Sequence, residues 1–139
     1  MRLQKNTWLA LYSVLESATA PARHIPAAEV ADKYGVSAHH LAKVLAELAR
    51  AGIVESVRGA GGGYRFIGNA RRLTLMDIIV LFEDFSPQLP GTRESTPVGQ
   101  ALVAVLSEID DNAHATFSSI TLATMLRLIA HGQANRRLR

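Results

Sequence analysis

The chain of 139 residues contains no cysteine. This absence excludes disulfide bonds, thiol nucleophiles, thiol redox switches and cysteine-ligated metal clusters. Charged residues make up only 19%, too few for a disordered polyelectrolyte, whereas the 48% of hydrophobic residues is enough for a buried core. No apolar run reaches transmembrane length, and the first residues lack the apolar core of a signal peptide. We therefore expect a folded, soluble, cytoplasmic protein with no membrane partner.

The charge is unevenly distributed along the chain. Residues 1–72 hold ten Lys or Arg and five acidic residues, whereas residues 73–139 hold five basic and seven acidic residues. The first half is therefore +5 and the second half −2. A basic half joined to a weakly acidic half favours a head that binds a polyanion, although an ordinary soluble surface is the alternative.

Hydrophobic periodicity predicts three helices in the first third of the chain. The first spans about 3–17, with an apolar stripe of Trp8, Leu11, Tyr12 and Leu15. The second starts at Pro26, which suits a first helical turn, and ends at Gly35, a residue typical of a left-handed cap. Ser37 is a good N-cap for the third helix, which ends at Gly52. The apolar stripe of the third helix consists of Leu41, Val44, Leu45 and Leu48.

A β-hairpin is predicted next, because residues 53–58 alternate apolar and polar side chains, 59–63 are rich in glycine, and 64–67 form a returning strand. Thr74 and Asp77 then have the spacing of a capping box, and we expect a helix that continues to Glu83.

The C-terminal part begins after a proline-rich loop at 85–97. A helix of about twenty residues follows, and a last helix is capped by Thr121. The long helix carries an apolar seam, which predicts a long partner and therefore dimerisation. The residues that we expect to mediate dimerisation are Val98, Leu102, Val105, Leu106 and Ile109. The predicted fold is mainly α with a small β-hairpin: a winged helix-turn-helix head (1–84), a connecting loop (85–97), and a dimerisation helix with a C-terminal helix (98–139).

The order of these elements indicates double-stranded DNA as the partner. In a helix-turn-helix the second helix of the motif lies in the major groove, and a glycine-tipped hairpin with flanking arginines suits a narrow minor groove. The predicted DNA-binding residues are Arg2, Lys5, Ser37, Ala38, His39, His40, Lys43, Arg58, Gly61, Gly62, Tyr64 and Arg65.

Other kinds of site are less well supported. The glycine-rich segment lacks the Lys-Ser/Thr of a phosphate-binding loop, and it precedes a strand rather than a helix. His39 and His40 diverge by about 100° on a helix, which disfavours a shared metal ion. Asp110 and His114 have i,i+4 spacing, which suits a weak metal site or, more often, a surface salt bridge. We expect no catalytic residues, no metal and no cofactor, and therefore no enzyme.

The chain resembles the Rrf-two (Rrf2) family of bacterial winged-helix regulators over nearly its full length. The most specific match is the glycine-rich segment 56–64, SVRGAGGGY. The other matching segments are 1–3, 28–31, 34–37, 41–45, 48–54, 73–79 and 120–123. The resemblance implies a homodimer held by the long helix. It also implies that the third helix lies in a major groove and that Arg58 and Arg65 act in the hairpin.

The chain departs from the family at the sensor. Cluster-binding members carry three cysteines in the region equivalent to about 85–105, and other members keep one cysteine in a Cys-Pro-Val-Gly-like sequence. Here that sequence is Thr96-Pro97-Val98-Gly99. The resemblance therefore implies a regulator without an iron–sulfur cluster and without a thiol switch.

The function we expect is that of a sequence-specific DNA-binding repressor, acting as a homodimer on a near-palindromic operator. An unknown small-molecule effector is left open. The alternative is a protein–protein adaptor built on a winged-helix scaffold.

Overall fold

The computed structural model describes residues 2–59, 62–85 and 95–139. The fold is mainly helical with one two-stranded antiparallel hairpin, which confirms the predicted fold class. In chain order the elements are α1 (Lys5–Thr19), α2 (Ala27–Tyr34), α3 (Ala38–Arg50), β1 (Val54–Val57), β2 (Gly63–Phe66), α4 (Leu75–Ile79), α5 (Pro97–Ser119) and α6 (Leu122–Arg137).

The turn between α2 and α3 is held by backbone hydrogen bonds. Gly35 adopts the left-handed conformation (φ 66°, ψ 39°), and the Val36 N–H donates to the Ala31 carbonyl at 3.0 Å. This is the Schellman arrangement that ends a helix and satisfies its last carbonyls. The Ser37 hydroxyl then accepts the His40 N–H at 3.1 Å and caps α3, as the sequence predicts. The helix-turn-helix geometry is therefore set locally.

The far end of α3 is closed in the same way. Gly52 has φ 75°, its N–H donates to the Ala49 carbonyl at 3.0 Å, and the Ile53 N–H donates to the Leu48 carbonyl at 3.1 Å. This second Schellman motif turns the chain directly into β1. Helix α3 therefore has defined ends on both sides, which fixes its exposed face relative to the hairpin.

The hairpin is joined to the helices by a third extended segment. Ile25, just before α2, exchanges two backbone hydrogen bonds with Tyr64 of β2, at 2.8 and 2.9 Å. A single β-branched residue between His24 and Pro26 is too short a signal to predict a strand, so this pairing is visible only in the structure. We call β1, β2 and the turn between them the wing.

The core lies between α1, α3 and the wing. The predicted α3 stripe, with Leu41 and Leu48 fully buried, faces it. The predicted α1 stripe is only partly correct, because Trp8 and Tyr12 remain 46% and 37% exposed. Helix α1 is apolar on more than one face, so periodicity alone does not choose its inner side. The buried residues of α1 are Thr7, Leu9, Ala10, Leu11, Ser13, Val14, Ser17 and Ala18.

The start of α6 is attached to the head. The predicted capping box at Thr74 and Asp77 is present, and the Leu75 N–H donates to the Ile120 carbonyl at 2.9 Å. Leu122 is fully buried, and α6 packs against α1. Helix α6 was predicted to belong with the long helix, whereas its contacts join it to the head. Helix α4 ends at Ile79, four residues before the predicted Glu83.

Within the three described ranges, the helices are all too short or too polar to span a lipid bilayer.

A polar network connects α1 to α2. The Glu16 carboxylate accepts hydrogen bonds from the Lys33 ammonium and the Tyr34 hydroxyl, each at 2.5 Å. Burial by itself raises the pKa of Glu16, but the two hydrogen bonds and the Lys33 charge outweigh it and hold the pKa below its ordinary value of 4.5. Burial, and then the same hydrogen bond to Glu16, raises the pKa of Tyr34. The network therefore stabilises the fold while Glu16 is ionised.

We predict that Glu16→Gln lowers the free energy of unfolding by about 1 kcal/mol at pH 7, since Lys33 is largely exposed and solvent weakens the pair. The folded pKa is depressed, so the stabilisation is present above the unfolded pKa and is lost as the pH falls through the folded pKa. Urea denaturation from pH 7 to pH 3 should show the two proteins converging in acid. Glu29→Gln, in the exposed pair with Arg23, is the control. A loss that stays constant across this range would contradict the ionic role of Glu16.

Candidate nucleic-acid interface

The N-terminal half of α3 presents a face of small and basic residues. His39 and Lys43 are exposed, and so are three alanines on this part of the helix. Small side chains let a helix backbone approach a groove closely, and the helix N-terminus attracts phosphate. We call this surface the α3 face; it consists of Ser37, Ala38, His39, Ala42, Lys43 and Ala46.

Two of the predicted α3 residues have structural constraints. The Ser37 hydroxyl already accepts a backbone N–H as the helix cap. His40 is only partly exposed, and its Nε2 atom is buried without a hydrogen-bond partner among the described residues. His39 is therefore the freer of the two histidines.

The basic residues differ in whether their charge is already compensated. Arg50 pairs with Glu47, and Arg65 pairs with Glu55 across the hairpin. Over the ranges 2–59, 62–85 and 95–139, Lys43 and Arg58 make no ion pair, and both are exposed. Their charges therefore remain available to a polyanion.

The two N-terminal basic residues lie in different places. Lys5 borders a groove with Tyr34 and Val36, close to the turn before α3. Arg2 instead borders a small cavity with Asp84 and Asp110 on the side of α5. Of this pair, the structure brings Lys5 nearer to the α3 face, whereas acidic residues surround Arg2.

Two glycines of the wing are required by close contacts within the fold. A Cβ at Gly62 would lie 2.3 Å from the Val57 carbonyl oxygen, and one at Gly63 would lie 2.5 Å from the Ile25 carbonyl oxygen. Gly63 also has φ 150°, which side-chain-bearing residues rarely adopt. The glycine-rich tip was predicted to suit a narrow minor groove, and Gly62 has this internal reason as well. Gly61 lies outside the described residues.

The position of Tyr64 differs from the predicted one. The residue is 1% exposed and belongs to the core, so its side chain is not on the surface where the prediction places a DNA contact. Burial raises its pKa to about 12. The residue follows the glycine-rich segment, where sequence reasoning places exposed loop residues. However, the Ile25 bridge holds this position of β2 against the helices, so its side chain points inward.

The long helix α5 displays an uncovered apolar seam. Leu102, Val105 and Ile109 are each more than half exposed. Val98 and Leu106 extend the seam, at 72% and 37% exposure. Contiguous apolar surface of this kind marks an association site. At the start of α5, the Thr96 hydroxyl accepts the Gly99 N–H at 3.0 Å, so this threonine caps the helix.

His114 makes local contacts on α5. Its Nδ1 lies 3.4 Å from the Ser118 hydroxyl, and its ring meets Phe85 edge to face. It makes no salt bridge with Asp110 in the part of the chain that is described, where no cluster of three His, Asp or Glu side chains suits a metal ion either.

Comparisons with known proteins agree with this geometry. The Rrf2 family model, "Iron-dependent Transcriptional regulator", matches residues 3–128. The HTH-type transcriptional regulator BadM of Rhodopseudomonas palustris is 49% identical over 130 residues, which are 93% of this chain and 83% of that protein. Among solved structures, CymR (YrzC), the global cysteine regulator of B. subtilis, is 25% identical with a TM-score of 0.74, covering 92% of this chain and 98% of CymR. IscR of T. potens is 25% identical with a TM-score of 0.76, and the match covers 96% of this chain and 91% of IscR.

The burial of Tyr64 generates a stability prediction. In the core, the Tyr64 hydroxyl lies near that of Ser13, but the two do not have the geometry of a full hydrogen bond. Removing an unsatisfied buried hydroxyl costs little, so Tyr64→Phe should change the free energy of unfolding by less than about 1 kcal/mol. Tyr64→Ala should lower it by about 3–5 kcal/mol, because it leaves a cavity in the core. Urea denaturation measures both. A large loss in Tyr64→Phe would show that the hydroxyl has a partner.

Proposed function

Because the chain belongs to the Rrf2 family of transcriptional regulators, we propose that it is a repressor that binds a near-palindromic operator as a homodimer. The family consists of DNA-binding regulators rather than enzymes. The observation that carries the proposal is the exposed α3 face with Lys43, on the same head as a wing with Arg58; neither cation has an acidic partner among the residues that the structure describes.

The α3 face suits the major groove of DNA. The groove admits one helix, and the residues at the helix N-terminus reach the base edges. Here the exposed alanines allow close approach, His39 can donate to or accept from a base, and Lys43 can reach a phosphate or a guanine. Lys5 and the partly buried His40 are proposed as secondary contacts.

The wing suits the adjoining minor groove. An arginine is the usual probe of a narrow minor groove, and Arg58 stands at the end of β1, directly before the turn. Arg65 is partly compensated by Glu55, so we assign it a smaller share of the affinity than Arg58.

The seam on α5 supports the proposed dimer. Its five large aliphatic side chains are exposed in a single chain and would be buried against the same helix of a second copy. A two-fold dimer places two α3 faces on one side of the duplex, and half-sites one helical turn apart, or a multiple of it, then give a near-palindrome. A dimer seated on such a site blocks access to a promoter in the cytoplasm.

We predict that Lys43→Ala and Arg58→Ala each weaken operator binding by about tenfold and reduce the salt slope of the affinity by about one. The operator is first selected from a genomic DNA library, and affinities are measured by mobility shift at several salt concentrations. Arg50→Ala is the matched control: it removes the same charge from α3 at its far end, where Glu47 already compensates it. Unchanged binding in both test variants would refute the assignment. Binding indifferent to salt and to sequence would favour the adaptor.

We predict that Leu102→Glu and Val105→Glu, made together, convert the dimer to a monomer, because two charges on the seam would be buried without partners. Sedimentation velocity should show a halved mass, and operator affinity should fall at least tenfold. Gln100→Glu adds a charge to the same helix off the seam and should leave the dimer intact. If the double variant remained dimeric, α5 would not be the interface.

A further inference from the structure

A cavity of about 520 Å³ lies between the end of α2, helix α1 and helix α6. This volume falls within the range of sites for small organic molecules. One wall is formed by Tyr12 and Tyr34, whose rings stack with their centroids 4.3 Å apart and their planes at 2°. The opposite wall is formed by Met125, Leu128 and Ile129 of α6. The cavity is therefore lined mainly by flat and aliphatic groups.

The charged groups of the cavity favour an anion. Lys33 and Arg136 contribute two positive charges, and Glu16 is the acidic residue of the lining. Glu16 already accepts hydrogen bonds from Lys33 and Tyr34. Arg136 makes no ion pair within the described parts of the chain, so its guanidinium is free for a carboxylate.

We propose that this cavity binds an organic anion with a flat apolar body, of the aromatic carboxylate class, and that this ligand is the effector of the regulator. The apolar body packs between the stacked tyrosines and the aliphatic wall, and the carboxylate binds Arg136 with support from Lys33. The effector role rests on the proposed DNA-binding function, whereas ligand binding does not.

The cavity is placed to influence α3. Lys33 and Tyr34 are the last residues of α2 and directly precede the Gly35 turn into α3. Their hydrogen bonds to Glu16 hold α2 against α1. A carboxylate that competes with Glu16 for Lys33 weakens this connection and changes the orientation of α2 and α3 together. Ligand binding and DNA binding are then coupled, and each lowers the affinity for the other.

Gly132 of α6 provides a clean variant, because it borders the cavity and a Cβ there would meet no atom within 4 Å. Gly132→Phe fills the cavity from a position that tolerates a side chain. Gly132→Ala is the matched control: it adds only a Cβ and favours the helix. Arg136→Gln removes the proposed anion partner while leaving the apolar walls. Circular dichroism verifies that each variant folds.

The probe is 2-naphthoate, titrated into the full-length protein by isothermal calorimetry. We expect saturable binding at one site per chain, retained in Gly132→Ala and weakened at least tenfold in Gly132→Phe and in Arg136→Gln. The neutral analogue 2-naphthalenemethanol should bind at least tenfold more weakly. Absence of binding, or equal binding in Gly132→Phe, would overturn the site, and equal binding of the alcohol would overturn the anion assignment.

The effector role is tested separately by mobility shift on the selected operator. Saturating 2-naphthoate should lower the operator affinity of the unmodified chain and of Gly132→Ala at least fivefold, and leave Gly132→Phe unaffected. Naphthoate that binds in calorimetry without changing operator affinity would overturn the effector role. If the chain did not bind any selected DNA, the proposed function would fail while the calorimetry still decided the site.

Discussion

The backbone hydrogen bonds between Ile25 and Tyr64 determine how the wing stands relative to the helices. Ile25 is followed at once by Pro26 and α2, so the same residue positions the hairpin and the first helix of the helix-turn-helix. The close approach of these strands requires Gly63, because a side chain there would collide with the Ile25 carbonyl. It also directs Tyr64 into the core. One bridge thus links the backbone of the wing, the packing of the core and the orientation of α3.

Local hydrogen bonds define both ends of α3. Two Schellman motifs, at Gly35 and Gly52, and the Ser37 cap satisfy the backbone at its boundaries. The exposed face is consequently free of any structural duty apart from that cap. Of the charged groups near it, Arg50 and Arg65 pair with acidic residues, whereas Lys43 and Arg58 make no ion pair within the described segments of the chain. The positions of the uncompensated charges therefore indicate where a polyanion would bind better than the net positive charge of the head does.

The two C-terminal helices have different roles. Helix α6 begins with hydrogen bonds to the segment before α4 and packs on α1, so it is attached to the head. Helix α5 instead leaves an apolar seam uncovered. This division leaves two surfaces for the proposed interactions: the seam, proposed for a second copy, and the space between α6 and α2, proposed for a small ligand. Thr96, which begins the Thr-Pro-Val-Gly sequence, caps α5 with its hydroxyl.

The sequence by itself determined the features that depend on neighbours along the chain. Helical and strand periodicity, the caps at Ser37, Thr74 and Thr121, and the glycine stops are local, and each is present in the structure. The tertiary structure alone decided which side of α1 is buried, that Ile25 joins the sheet, that Tyr64 points inward, and that Lys33 pairs with Glu16. These depend on residues that are distant in the chain and meet only after folding, as Ile25 meets Tyr64 and Glu16 meets Lys33. No local pattern in either partner carries that information.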